Sequence, residues 1–159
     1  MNDFVGVGEL KRLQAEQVTK FRSWAKGGHW DAFHSNHYDW WTFPIDAPSS
    51  FGFKYTLTEE TIQDLAQDVE FIASLRKAAE LLLSSWGWNA TKNHLVQHPA
   101  LGQAWANWPI RLAKCNRSLV LFKQADLVES TRLFAKHLHA EGNSFEYSGR
   151  DLLPEILEG

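Results

Sequence analysis

The chain holds one cysteine, Cys115, which excludes an internal disulfide and a multi-cysteine zinc site. That fits a reducing compartment. No apolar run approaches the roughly 20 residues a membrane helix needs, so no membrane insertion is expected. Charge of one sign is scarce as well. With a formal net charge of -3, nothing draws the whole chain to nucleic acid or acidic lipid, and any anion site must be local. No nucleic-acid partner is therefore expected. The stretch from Met1 to Gly8 is acidic and lacks an apolar run, so it does not read as a signal peptide, and a cytoplasmic location is expected. The glycosylation patterns Asn89-Ala90-Thr91 and Asn116-Arg117-Ser118 carry no meaning without secretion. Catalytic signatures are also missing. There is no His-Glu-x-x-His pair and no Gly-x-Ser-x-Gly elbow. Gly6-Val7-Gly8 is not continued into a dinucleotide fingerprint, so it reads as a flexible terminus. We find no internal repeat and no low-complexity segment.

What the sequence does have is aromatic mass. Eight Trp and ten Phe in 159 residues are too many for a disordered chain and suit one domain with a sizeable core. The stretch His34-Ser35-Asn36-His37-Tyr38-Asp39-Trp40-Trp41-Thr42-Phe43-Pro44-Ile45 concentrates them. Pro44 has no backbone donor and biases Phe43 away from helix, so a helix should end just before it. Trp40, Trp41 and Phe43 are expected to be mostly buried there.

Helical periodicity covers most of the rest. Leu10, Leu13, Phe21, Trp24 and Ala25 mark a first helix over 9–26, closed by Gly27-Gly28. A second helix is expected over 30–41. Residues 46–52 are a loop, and Phe53-Lys54-Tyr55-Thr56 alternates without an evident strand partner, so no sheet is expected. Thr56 with Glu59 fits a capping box, or Thr58 caps instead with two acids in the first turn. Asp68 either caps a following helix or lies within a continuous one. Phe71, Leu75, Ala78, Ala79, Leu82 and Trp86 share one face of a helix that Gly87 closes. Residues 88–102 read as a polar connection, with a short helix open around 103–107. Pro109 suits the first turn of the next helix, and 110–123 is apolar around most of its circumference, which predicts a central position. Asp126 is expected to cap a last long helix to Ala140, ended by Gly142-Asn143. The expected fold is all-α, a single-domain bundle of about five to six helices around an aromatic core. Residues 1–143 form the helical domain, and 144–159 form a C-terminal tail that docks as a helical turn or frays.

Candidate sites are few. Asp31, His34 and His37 would share one face of the second helix, but histidines in an aromatic segment more often bond a helix end, so no metal and no cofactor are expected. His94 and His98 lie in a loop, and His137 and His139 point to different sides of their helix. Cys115 has Lys114 and Arg117 near it, yet sits inside a helix and reads as a packed small residue. No catalytic residue emerges. The most distinctive surface is Arg111, Lys114 and Arg117 at i, i+3 and i+6, a slanting basic stripe preceded by Trp105 and Trp108. Guanidinium groups grip phosphate and carboxylate in a fork, and Trp offers a stacking face, so an anionic ligand is one reading. The plainer reading is a charged helix face paired with neighbouring acids, with both Trp in the core. His37 joins these five as the sixth candidate ligand contact.

With those residues in view, the chain resembles the conserved region of the opioid growth factor receptor family. The resemblance rests on His37 through Trp41-Thr42-Phe43-Pro44-Ile45, Ser49-Ser50, Leu57-Thr58-Glu59-Glu60 and Ser85-Trp86-Gly87. It continues through Asn107 or Asn116, the basic helix from Arg111 to Phe122, and Leu133-Phe134. His37 lies one residue closer to its Trp than the family pattern has it, and either Asn alignment needs a gap. The resemblance implies a helical domain and, by family name, a peptide-binding role. It brings no catalytic residues. The expected function is a non-enzymatic binding or interaction domain for a peptide or protein. The alternative is a small-anion-binding or enzymatic domain using the basic helix 109–123.

Overall fold

A computed structural model describes residues 3–159; the first two residues of the N-terminal reading lie outside it. The described chain is mainly α-helical, with eight helices and two short two-stranded ribbons, so the expected count of about five to six helices is exceeded. The surplus comes from breaks and short pieces.

Helix α1 runs Val7–Gly27. It starts earlier than the periodicity suggested because Gly6, at φ 95°, turns its carbonyl to accept the Leu10 N–H. The Gly6-Val7-Gly8 segment is thus a helix start and not a flexible end. Gly28 closes α1 in the left-handed conformation, its N–H donating back to Ala25. The expected second helix is divided into α2, Trp30–Ser35, and α3, Asp39–Thr42. α3 ends before Pro44 as the proline dictates. Phe53 to Thr56 forms turns and no strand.

α4, Glu59–Ala66, is capped by Thr58 and not Thr56. The Thr58 hydroxyl accepts the Thr61 N–H, and the Thr61 hydroxyl accepts the Thr58 N–H. Asp68 caps a separate α5, Val69–Ser85, by accepting the Phe71 N–H. Gly87 follows at φ 83°, and a Cβ there would meet the Gln103 carbonyl oxygen at 3.1 Å. The segment read as a polar connection contains β1, Trp88–Asn89, paired antiparallel with β2, His94–Leu95. Residues 103–107 are not helical.

Pro109 opens α6, Pro109–Leu121, and α7 spans Ala125–Ala140. Asp126 does not cap α7. It lies in the first turn and takes a fork from Arg76 of α5 at 2.6–2.8 Å. The tail docks: β3, Glu146–Tyr147, pairs with β4, Arg150–Asp151, and α8, Leu153–Glu158, buries Ile156 against α6 and α7. Arg132 fixes it by donating to the Ile156 carbonyl.

α1 packs chiefly on α5, and α6 on α7, with α5 touching both halves. Phe21, Phe33 and Tyr38 meet at 4.7 Å in one half of the core. Trp86, Trp88 and Phe134 meet in the other. Within the organising stretch, Tyr38 and Phe43 are fully buried, and Trp40 and Trp41 are partly exposed at its edge. The Trp41 indole N–H donates to Gln17, one of two glutamines that α1 buries. Among the described residues, no helix is long and apolar enough to cross a membrane.

Candidate functional site

The site grows from the break between α2 and α3. Where the chain leaves the helix at Asn36, His37 and Tyr38, backbone carbonyls lose their helical donors. Arg111, in the first turn of α6, supplies replacements. Its Nη1 donates to the Phe33 carbonyl at 2.8 Å and the Tyr38 hydroxyl at 3.1 Å. Its Nη2 donates to the Asn36 carbonyl at 2.9 Å, and its Nε to Asp39 at 2.6 Å. The guanidinium also lies 4.4 Å from the Tyr38 ring centre and 4.2 Å from that of Trp108. Burial pushes the Tyr38 phenol well above its ordinary range, against the opposing pull of the Arg111 charge.

Arg111 is therefore 0 % exposed, and its role as a ligand contact is corrected: it is a buried structural ion pair that organises the break. Arg117 is also committed. It forks onto Asp46 at 2.7–3.1 Å and holds that carboxyl below the usual range. Trp105 packs against Trp86, Phe134 and Phe145.

The other three candidates come together. His37, Trp108 and Lys114 line one cleft of about 520 Å³ between the α2–α3 break, the 45–56 loop, α6 and the β3–β4 ribbon. His37 is exposed and meets the Trp108 ring edge-to-face at 5.8 Å. Trp108 is pinned by its indole N–H, which donates to the His34 carbonyl at 3.2 Å. Lys114 is half-buried, with its ammonium 5.1 Å from the centre of the Trp40 ring. Among the described residues that ammonium has no hydrogen bond and no ion pair. Burial lowers its pKa below the usual lysine range; Asp39 opposes this and Arg111 adds to it.

No protein-family model matches the chain, and searches of curated proteins and of solved structures also find no match. The cleft must be read from its own residues.

Several of those residues were not singled out as site residues in the sequence. Trp40 and Phe43 read as core because aromatic density signals burial without saying which ring faces a cavity. Tyr55 belongs to the alternating Phe53–Thr56 piece and packs on Trp41 and Phe51 at 5.6–5.8 Å. Ser49, Ser50 and Thr56 bring hydroxyls, and Tyr147 and Arg150 reach in from the ribbon. The turn composition of 46–52 marks a loop but says nothing of its facing a cavity.

Metal and nucleophile chemistry find little here. Among the described residues no three His, Cys, Asp or Glu side chains gather into a metal-holding group. Asp31 is on α2, His37 is outside it, and His34 Nε2 lies 2.9 Å from the Gly102 carbonyl. Cys115 is sealed in the core, and burial drives its thiol far above the ordinary range, which disfavours the thiolate a nucleophile needs. A shallower hollow over β1–β2 holds Trp88, His94 and His137.

Proposed function

We propose that this protein is a non-catalytic binding domain that docks a segment of a peptide or protein partner in the cleft beside α6. One observation carries the reading: an aromatic-walled cleft of about 520 Å³ continues outward onto exposed rings, Tyr147 at 42 % in its lining and Phe51 at 45 %, edge-on to the lining Trp40 at 4.9 Å. Ligand sites are commonly concave and mostly apolar, with a few placed polar groups, and exposed apolar rings beside such a cleft suit a ligand longer than the cleft itself. The resemblance of residues 37–45 and 57–60 to the opioid growth factor receptor conserved region agrees with a peptide-binding role. It does not carry the role, because fold-level likeness does not supply function.

The test is selection of a random peptide library on the intact protein, followed by titration of the enriched peptides. Peptides that bind the parent and lose affinity in Trp40→Ala and Phe51→Ala support the reading. A library that yields no sequence dependent on those two residues overturns it.

The alternative of a small-anion site on the basic helix is favoured at one residue only, Lys114, since Arg111 and Arg117 are already paired.

A further inference from the structure

We propose that the cleft is specific for a single carboxylate, paired with the Lys114 ammonium, on an apolar stem that lies against Trp40 and Trp108. The proposal rests on the reading of this cleft as the binding site and names the chemical group that enters it.

Charge accounting within the cleft supports one negative charge and not two. Arg111 and Asp39 neutralise each other at 2.6 Å. Arg150 is paired with Glu155 at 2.7 Å. The Lys114 ammonium, by contrast, has no ion pair among the described residues. A half-buried ammonium without a partner has lost part of its hydration and gained no hydrogen bond in exchange. An anion arriving there restores that loss, and in partly dry surroundings the pair is stronger than it would be in water.

Neutral donors stand beside that charge. The Thr56 hydroxyl already donates to the Ala47 carbonyl, and the Ser49 oxygen accepts the Phe51 N–H. Ser50 adds a hydroxyl to the lining with no bond of its own among the described residues. The single free ammonium matches the one charge of a carboxylate and falls short of a phosphate dianion, while the Ser50, Tyr55 and Tyr147 hydroxyls, without bonds of their own among the described residues, can donate beside it. The walls are aromatic, and the Trp108 ring is fixed from behind by Arg111 and by its own bond to His34. A flat or aliphatic stem therefore meets a surface that needs little ordering on binding. The carboxylate can come from a small acid or from the C-terminus of a peptide.

The experiment titrates the whole protein with 3-phenylpropionate, its neutral amide 3-phenylpropanamide, and phenyl phosphate, followed by calorimetry and by shifts of backbone amide resonances. The acid is expected to bind about tenfold or more tightly than the amide, as loss of a charge-assisted bond implies. Phenyl phosphate is expected to bind more weakly than the acid. Lys114→Met should lose that preference while melting no lower than the parent, and Lys114→Arg should restore part of it. Equal binding of acid and amide, tighter binding of phenyl phosphate, or an acid affinity unchanged in Lys114→Met overturns the proposal. A tripeptide ending in Phe, as free acid and as amide, separates the two sources: a preference for its free acid, lost in Lys114→Met, supports the proposal with a peptide end as the ligand. The two readings fail separately. Library peptides that bind parent and Lys114→Met alike, with no preference for the acids, leave peptide docking standing and remove the carboxylate. Acids that bind through Lys114 without any enriched peptide do the reverse.

Discussion

Replacing Arg111 by Met leaves the buried Asp39 carboxylate without its hydrogen-bonded cation, takes the donor from the Asn36 carbonyl and leaves the Phe33 carbonyl with the Tyr38 hydroxyl alone. That should cost about 3–5 kcal/mol in urea unfolding. Arg111→Met with Asp39→Asn removes the stranded charge and should unfold at higher urea than Arg111→Met alone. A single variant with the parent's midpoint would show that the guanidinium does not hold the break. The same measurement separates the aromatic residues before and after it. Phe43→Ala, at a fully buried position, should cost about 3–5 kcal/mol, and Trp41→Ala, half-buried, distinctly less. The basic stripe was visible in the sequence through its i, i+3, i+6 spacing. Its partners were not, because Asp39 and Asp46 lie about 70 residues away and nothing in local spacing encodes which acid a cation meets.

Helix boundaries follow local chemistry wherever the chain alone decides them. Gly28, Asp68, Gly87, Pro109 and Gly142 act as their types dictate. Boundaries fail where a distant side chain intervenes, as Arg111 does at Asn36 to Tyr38. Asp126 fails similarly: its acid belongs to an α5–α7 bridge and not to a cap. Arg76 holds the Asp126 carboxyl down to about 2, below its unfolded value. The bridge therefore contributes fully above the unfolded pKa of about 4, and its contribution is lost as pH falls toward about 2. The pair is largely exposed, so Asp126→Asn should lose less than about 1 kcal/mol at neutral pH. Its gap from the parent should close on acidification through that window, as urea midpoints at several pH values would record. A gap that is constant with pH would assign the effect to something other than the ion pair. For α8, Ile156→Ala should cost about 2–5 kcal/mol, because the tail is part of the core and does not fray.

At the scale of the molecule, α1–α5 and α6–α7 share one continuous set of buried residues, to which the C-terminal segment adds Phe145, Leu152 and Ile156. Unfolding should be a single transition, with tryptophan fluorescence and far-ultraviolet circular dichroism giving the same midpoint. Two separated midpoints would mean that the halves melt independently. The mainly helical class could be read from periodicity alone. The cleft could not, since it is assembled from four segments, and a cavity is a property of how elements meet. Its six sequence candidates divided accordingly: Trp108, Lys114 and His37 converge, while Trp105, Arg111 and Arg117 turn to other partners.

Cys115 gives the protein a clock of its own. It is the chain's one thiol, 0 % exposed on α6, so an alkylating reagent reaches it only when α6 parts from its neighbours. Because no second sulfhydryl competes, the rate of iodoacetamide uptake under native conditions reads the frequency of that opening directly. If labelling is slower than reclosing, its rate divided by that of a free thiol gives the open fraction. Ligand added to the cleft should slow uptake in proportion to its occupancy, since Lys114 and Cys115 are adjacent on one helix. The same residue that offers no chemistry in the folded protein thus times how often the fold comes undone.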